Sequence, residues 1–198
     1  MDDFESKYGN QYDDLRLYPE QSVVVSVILG VIGAVVGAVP GFLLWLLLAR
    51  LNFISVACAA VIALGSAFGY RLMTKKNEPP AIVGIITCVA VLVILVYLAT
   101  RIDWAWEIAK VFNEKVYPEY VDSLQAFDLW TEAEIKDSYQ EVLTEEFGFS
   151  EVTFGNCFSN LGVLLEYFDL KFKFGIALAE AALCAFAGGF AAFKYFGK

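Results

Sequence analysis

Residues 81–112 read AIVGIITCVAVLVILVYLATRIDWAWEIAKVF, and the break inside this stretch decides the fold. From 81 to 100 no side chain is charged, and at about 1.5 Å of rise per residue this run matches the roughly 30 Å hydrocarbon core of a bilayer. Its many Val, Ile and Leu residues are acceptable in a helix there, because lipid leaves the backbone no other hydrogen-bond partners. The character changes at Arg101. Trp104 and Trp106 stand where an interfacial aromatic belt belongs. Residues 102–116 then place Ala105, Ile108, Ala109, Phe112 and Val116 on one helical face, with Asp103, Glu107, Lys110 and Glu114 on the other. The pattern predicts a membrane span followed by an amphipathic extramembrane helix that stops before Pro118.

Three further apolar runs repeat the first half of that pattern. Residues 23–48 would form a helix nearly 40 Å long, too long for the bilayer without tilt or a kink at Pro40-Gly41. The very short connection from Ala49 to Asn52 joins it to a second span at 53–73, which demands a tight antiparallel hairpin. Arg71 to Pro80 is a polar turn, and a last span covers 172–193 before Lys194 and Lys198. The expected fold is therefore all-α: an integral membrane four-helix bundle carrying a small acidic helical insertion before the last span. Residues 1–21 form an acidic polar tail, 22–101 hold three spans, 102–171 form the acidic extramembrane region, and 172–198 hold the fourth span with its basic end. Within the insertion, Thr131 and Glu134 make a capping box that opens a helix running to about Glu146 and closing at Phe147-Gly148. Residues 158–168, with Leu161, Leu164, Leu165 and Phe168, read as an amphipathic stretch along the interface.

Composition supports this division. Hydrophobic residues make up 59% of the chain, against about 45–50% in soluble domains, so the excess needs a sink such as lipid. The net charge of −9 argues against nucleic acid as a partner. The chain has no histidine, which removes most zinc sites and the histidine-dependent nucleophile systems. Cys58, Cys88 and Cys184 lie within apolar runs and Cys157 stands alone, so neither a disulfide framework nor a metal site is read. No catalytic residue and no cofactor motif is found. The N-terminal sequence MDDFESKYGNQYDD lacks the basic segment of a secretory signal, and the first span is expected to be retained.

The stretches GAVVGAVPGFLLWLLLARLNFISV (33–56), ALGSAFGYRLM (63–73) and RIDWAWEIAKVF (101–112) are similar to a pattern in uncharacterised multi-pass membrane proteins of Gram-positive bacteria. That resemblance implies a bacterial membrane location. It assigns no activity and no site residues.

Several features invite functional reading beside plainer structural ones. Gly30, Gly33, Gly37 and Gly41 share one helix face, a stripe that allows close helix packing. Its expected mate is the small-residue face of the last span, Cys184, Ala187, Gly188, Ala191 and Ala192, or else Ala60, Ala63 and Ala67 of the second. Homo-oligomer formation and a substrate path are alternative uses. Glu180 lies about 12 Å into the last span, where a carboxylate needs a partner, water or a proton, and Arg50 is the expected partner. Glu134, Asp137, Glu141 and Glu145 form an acidic face, read as solvated rather than as a calcium site because no ligating loop is present. Trp104, Trp106 and Trp130 are read as interface anchors or as packing of the small domain rather than as a ligand-stacking surface.

Charge places Arg71, Lys75, Lys76, Lys194 and Lys198 on one side of the membrane, so both termini are expected to be cytoplasmic. Residues 102–171, with fifteen carboxylates against four lysines, then face outward, although Arg101, Lys171 and Lys173 dilute the bias. The function expected is non-enzymatic: a cell-membrane scaffold or accessory subunit whose acidic region meets a protein partner. The alternative is a small ion- or proton-linked transporter with Glu180 as its intramembrane site.

Overall fold

The computed structural model describes residues 23–50, 57–74, 81–125 and 130–196, and among these every regular element is helical. In chain order they are α1 (Val23–Arg50), α2 (Cys58–Thr74), α3 (Ala81–Val111), a π-helical turn (Phe112–Val116), α4 (Tyr117–Gln125), α5 (Glu132–Phe147), α6 (Phe154–Ser159), α7 (Leu161–Tyr167) and α8 (Lys171–Phe196). Three helices, α1, α3 and α8, are long and apolar enough to cross a membrane. The described part of α2, Cys58–Thr74, has 17 residues, or about 26 Å, and the expected start at Phe53 lies outside the described residues. The acidic tail 1–21, the connection at 51–56 and the turn residues 75–80 lie outside the described residues.

Two cores divide the chain. The first gathers Ala34, Ala38 and Trp45 of α1, Ala59 and Ile62 of α2, Val91, Val96 and Ala99 of α3, and Ala181 and Ala185 of α8. α2 packs on all three longer helices and most extensively on α1. The reason is steric. A Cβ at Gly33 would collide with the carbonyl oxygen of Gly69, one at Gly37 with that of Gly65, and the collisions are reciprocal from Gly65 and Gly69. The two backbones touch with no side chain between them, a proximity that only glycine permits and that supplies the dispersion contact lipid cannot replace. Gly41 and Gly30 extend the seam at its ends. A Cβ at Gly41 would come 2.7 Å from the Ile62 nitrogen, and one at Gly30 2.5 Å from the Tyr70 ring. Gly84 of α3 clears the other side of that ring, at 2.8 Å. α8 joins by the same device, Gly188 lying against the Ala60 backbone. α1 itself runs unbroken through Pro40.

The second core lies beyond the membrane-length part of α3. Ala105, Ile108, Ala109 and Phe112 pack with Tyr139, Leu143 and Phe147 of α5, Cys157 of α6, and Leu161, Leu164 and Leu165 of α7. Phe112 makes edge-on ring contacts with Phe147 at 5.6 Å and Phe168 at 5.4 Å, the orientation that aromatic quadrupoles favour. The apolar face expected for residues 102–116 is the one buried, but no separate helix carries it: α3 continues out of the apolar run without interruption.

Nor does the helix end before Pro118. Tyr117 N–H donates to the Phe112 carbonyl across the π turn, and that wider winding carries the backbone past a residue with no N–H, whose ring would clash with a preceding carbonyl in an α-helical ladder. Residues 158–168 form two short helices that meet at Asn160 in place of one amphipathic stretch, and they bury Leu161, Leu164 and Leu165 in the domain core. α5 opens on Thr131, whose side chain accepts from Glu134 N–H while Glu134 accepts from Thr131 N–H at 2.9 Å. It closes on Gly148 at φ 76°, a left-handed conformation that glycine adopts without steric cost.

Two measurements test this architecture. Gly37→Leu should destabilise the solubilised monomer by about 3 kcal/mol or more through overpacking against α2, whereas Gly189→Ala, whose Cβ would meet open space, should leave the melting temperature unchanged; equal melting of the two variants would remove the seam from the account. Burial pushes the Tyr139 hydroxyl from 10.0 up to about 12, reinforced by Tyr117, Cys157 and Tyr120, and the Cys157 thiol from 9.0 up to about 11. Both groups are protonated when folded and ionise earlier when unfolded, so the stability they confer is complete below pH 9 and is lost as pH rises through their folded values. Melting followed by near-ultraviolet circular dichroism should begin to fall near pH 9 in the native chain, and about one unit later in Cys157→Ala.

Candidate functional site

The chain's polar chemistry concentrates where the two cores meet. Arg101 is the first charge after the apolar run of α3, and its guanidinium turns outward onto α6. Nε donates to the Phe158 carbonyl at 3.2 Å, and Nη2 donates to the same carbonyl at 2.8 Å and to that of Ser159 at 3.4 Å. These carbonyls belong to the last turn of α6, where the helix leaves acceptors unfilled. A cation is favoured there. Nη1 reaches the Tyr97 hydroxyl at 3.3 Å, and the guanidinium lies 4.7 Å from the Phe158 ring centroid.

Beside Arg101 opens a cleft of about 360 Å³ lined by Tyr97, Ser159, Asn160, Gly162, Val163 and Phe174, among others. Phe174, near the start of α8, closes one side and meets Trp104 edge-on at 5.9 Å. Four elements therefore converge: the end of the apolar run of α3, the junction of α6 and α7, and the first turn of α8.

On another face of α3, Arg50 at the end of α1 lies 3.5 Å over the Trp106 ring centroid. The cation–π contact ties the α1–α2 hairpin to the part of α3 that has left the apolar run. Asp103 is near, and its carboxyl is pushed up first by burial and then by the charge of Glu107, with Arg50 pulling it down.

The residues singled out from the sequence fall as follows. Gly30, Gly33, Gly37 and Gly41 all face α2. Arg50 does not meet Glu180, and among the described residues Glu180 forms no ion pair and is exposed on the outer face of α8. Its depth follows from the register of α8 on α3. Glu180 lies six residues past Phe174, about 9 Å down α8, and Phe174 is level with Trp104, about 4.5 Å above Arg101. On that register Glu180 lies about 5 Å below the Arg101 level, toward the apolar part of α3.

Asp137, Glu141 and Glu145 are exposed along α5, whereas Glu134 is engaged in the helix cap. Among the described residues no group of three or more carboxylate or cysteine side chains converges as a metal site would require. The Arg101 contacts and the cleft are not apparent in the sequence, because the acceptors are backbone carbonyls 57 residues away. Gly65 and Gly69, which meet the stripe of α1, were missed, although their four-residue spacing was the signal that could have found them.

Comparison with protein families, with curated proteins and with solved structures finds no match for this chain.

Arg101→Met should loosen α6 from α3 at a cost of about 1–3 kcal/mol, the range for hydrogen bonds made by a charged group. Hydrogen–deuterium exchange should then rise at 154–165 while α1 and α2 stay protected; unchanged exchange at α6 would show that its apolar contacts alone hold it.

Proposed function

We propose that this chain is a non-enzymatic membrane scaffold or accessory subunit, with a four-helix membrane bundle and an acidic extramembrane domain that receives a protein partner. The observation that carries the reading is the continuity of α3. One helix contributes Val91, Val96 and Ala99 to the first core and Ala105, Ile108, Ala109 and Phe112 to the second, so the domain is held in a set position above the membrane. Rigid presentation of that kind favours docking, since little ordering entropy remains to oppose association.

The face offered is the exposed edge of α5 with Asp137, Glu141 and Glu145, whose charge would steer a basic partner surface. The bundle is assigned to a bacterial cell membrane with both termini on the cytoplasmic side, following the distribution of basic residues and the resemblance noted from the sequence. This reading treats α2 as a fourth span.

Gentle solubilisation and native mass spectrometry should retain a stoichiometric protein partner. Replacing Asp137, Glu141 and Glu145 together by Lys should release that partner without lowering the melting temperature, because all three side chains are exposed and Glu134 of the helix cap is left intact. A monomer with no protein bound before any substitution would overturn the proposal.

A further inference from the structure

The cleft beside Arg101 has a chemistry that the docking of a protein on α5 does not use. Its volume, about 360 Å³, falls in the range of small-ligand clefts, roughly 300–1,000 Å³. At its side stands a guanidinium with five N–H donors. The Phe158 and Ser159 carbonyls take up Nε and Nη2, and Tyr97 takes one hydrogen of Nη1, which leaves the second Nη1 hydrogen without a protein acceptor. Carbonyls also leave the charge itself unneutralised, and among the described residues no carboxylate forms an ion pair with Arg101. Lys173, next to the lining residue Phe174, adds a second cation at this end of α8. An acidic domain thus presents positive charge at the level where the apolar helices end.

The apolar surroundings point the same way. Ile86, Ala90, Val93 and Tyr97 are exposed along one face of α3, at the four- and three-residue spacing of a single helical stripe, and the next position on that stripe is Arg101. An apolar strip of membrane-facing surface therefore leads directly into a cleft with a cation at its head.

We propose that this cleft binds a phospholipid with an anionic headgroup, its phosphate on the Arg101 guanidinium and one acyl chain along Ile86, Ala90, Val93 and Tyr97. Arginine suits phosphate because its charge is permanent and the remaining Nη1 hydrogen can donate to a phosphate oxygen. The bound lipid also adds a ligand to the joint of α3, α6, α7 and α8, so binding stabilises the domain in its seat. This inference rests on the membrane placement proposed above and is independent of the protein partner.

The test uses the full chain in detergent micelles supplemented with phosphatidylglycerol or phosphatidylcholine, and native mass spectrometry of the retained lipid. One phosphatidylglycerol should be held in preference to phosphatidylcholine. Gly162→Trp fills the cleft from a position whose Cβ meets open space, and Val163→Glu sets a negative charge at a side chain 48% exposed. Each should lower phosphatidylglycerol retention at least about tenfold, as loss of one charge-assisted hydrogen bond implies, with the melting temperature in lipid-free detergent unchanged. Equal retention of the two lipids, undiminished retention in both variants, or displacement of the lipid by millimolar inorganic phosphate would each overturn the proposal, the last by identifying a site for a free anion. Resistance of the native chain to carbonate extraction from vesicles reports the membrane placement separately, so its failure is distinguishable from failure of the lipid site.

Discussion

One helix belongs to two cores, and most of the structure follows from that constraint. α3 is a continuous rod of 31 residues, about 46 Å long, so whatever packs on its first part is fixed in azimuth and height relative to whatever packs on its last. A helix interior offers no swivel. The second core therefore does not hang from the first by a linker, and α5, α6 and α7 assemble around a post that the first core holds upright. Arg50 on Trp106 and Arg101 on the end of α6 then brace the post from two sides, each cation using the π face or carbonyl acceptors available at the boundary and not a carboxylate.

Within the bundle, attraction is a matter of shape. Apolar side chains gain little by meeting one another when lipid is equally apolar, and backbones that meet directly gain van der Waals contact over their whole length. Gly33, Gly37, Gly65 and Gly69 provide that meeting for α1 and α2, and Gly188 on Ala60 provides it for α8. The same economy explains how a helix as short as α2 can be central. Ala59, Ile62 and Ser66 are wholly enclosed by its three neighbours, so neighbouring helices serve as much of its solvent.

Legibility in the sequence tracks how local the cause is. Runs without charge announce α1, α3 and α8 because the bilayer imposes a length on each of them, and the Thr131–Glu134 box and Gly148 announce α5 because a cap is a contact between near neighbours. The glycine stripe of α1 was visible from spacing alone. Its mate was expected first on the small-residue face of the last span, with Ala60, Ala63 and Ala67 of the second as the other candidate, and the structure puts Gly65 and Gly69 of α2 there, because small residues on any helix satisfy the same pattern. The continuation through Pro118 escaped because the rule that proline ends a helix presumes an α-helical ladder, and a π turn relieves the clash on which the rule depends. Leu161, Leu164 and Leu165 give the same periodicity on a membrane surface as in a protein core. Arg101 is the clearest case of a non-local cause: nothing in its surroundings in the chain specifies carbonyl acceptors on α6.

Phe174 sits at the start of α8 yet packs against the extramembrane core, beside Leu170. Synthesis proceeds from the N-terminus, so a chain that has emerged only as far as α7 still lacks Phe168, Leu170 and Phe174, which pack against that core. The domain therefore gains its final contacts only once the first turn of α8 has emerged. Completion of the second core is thus tied to the arrival of the last helix, and a chain that stops short of it leaves an open aromatic core.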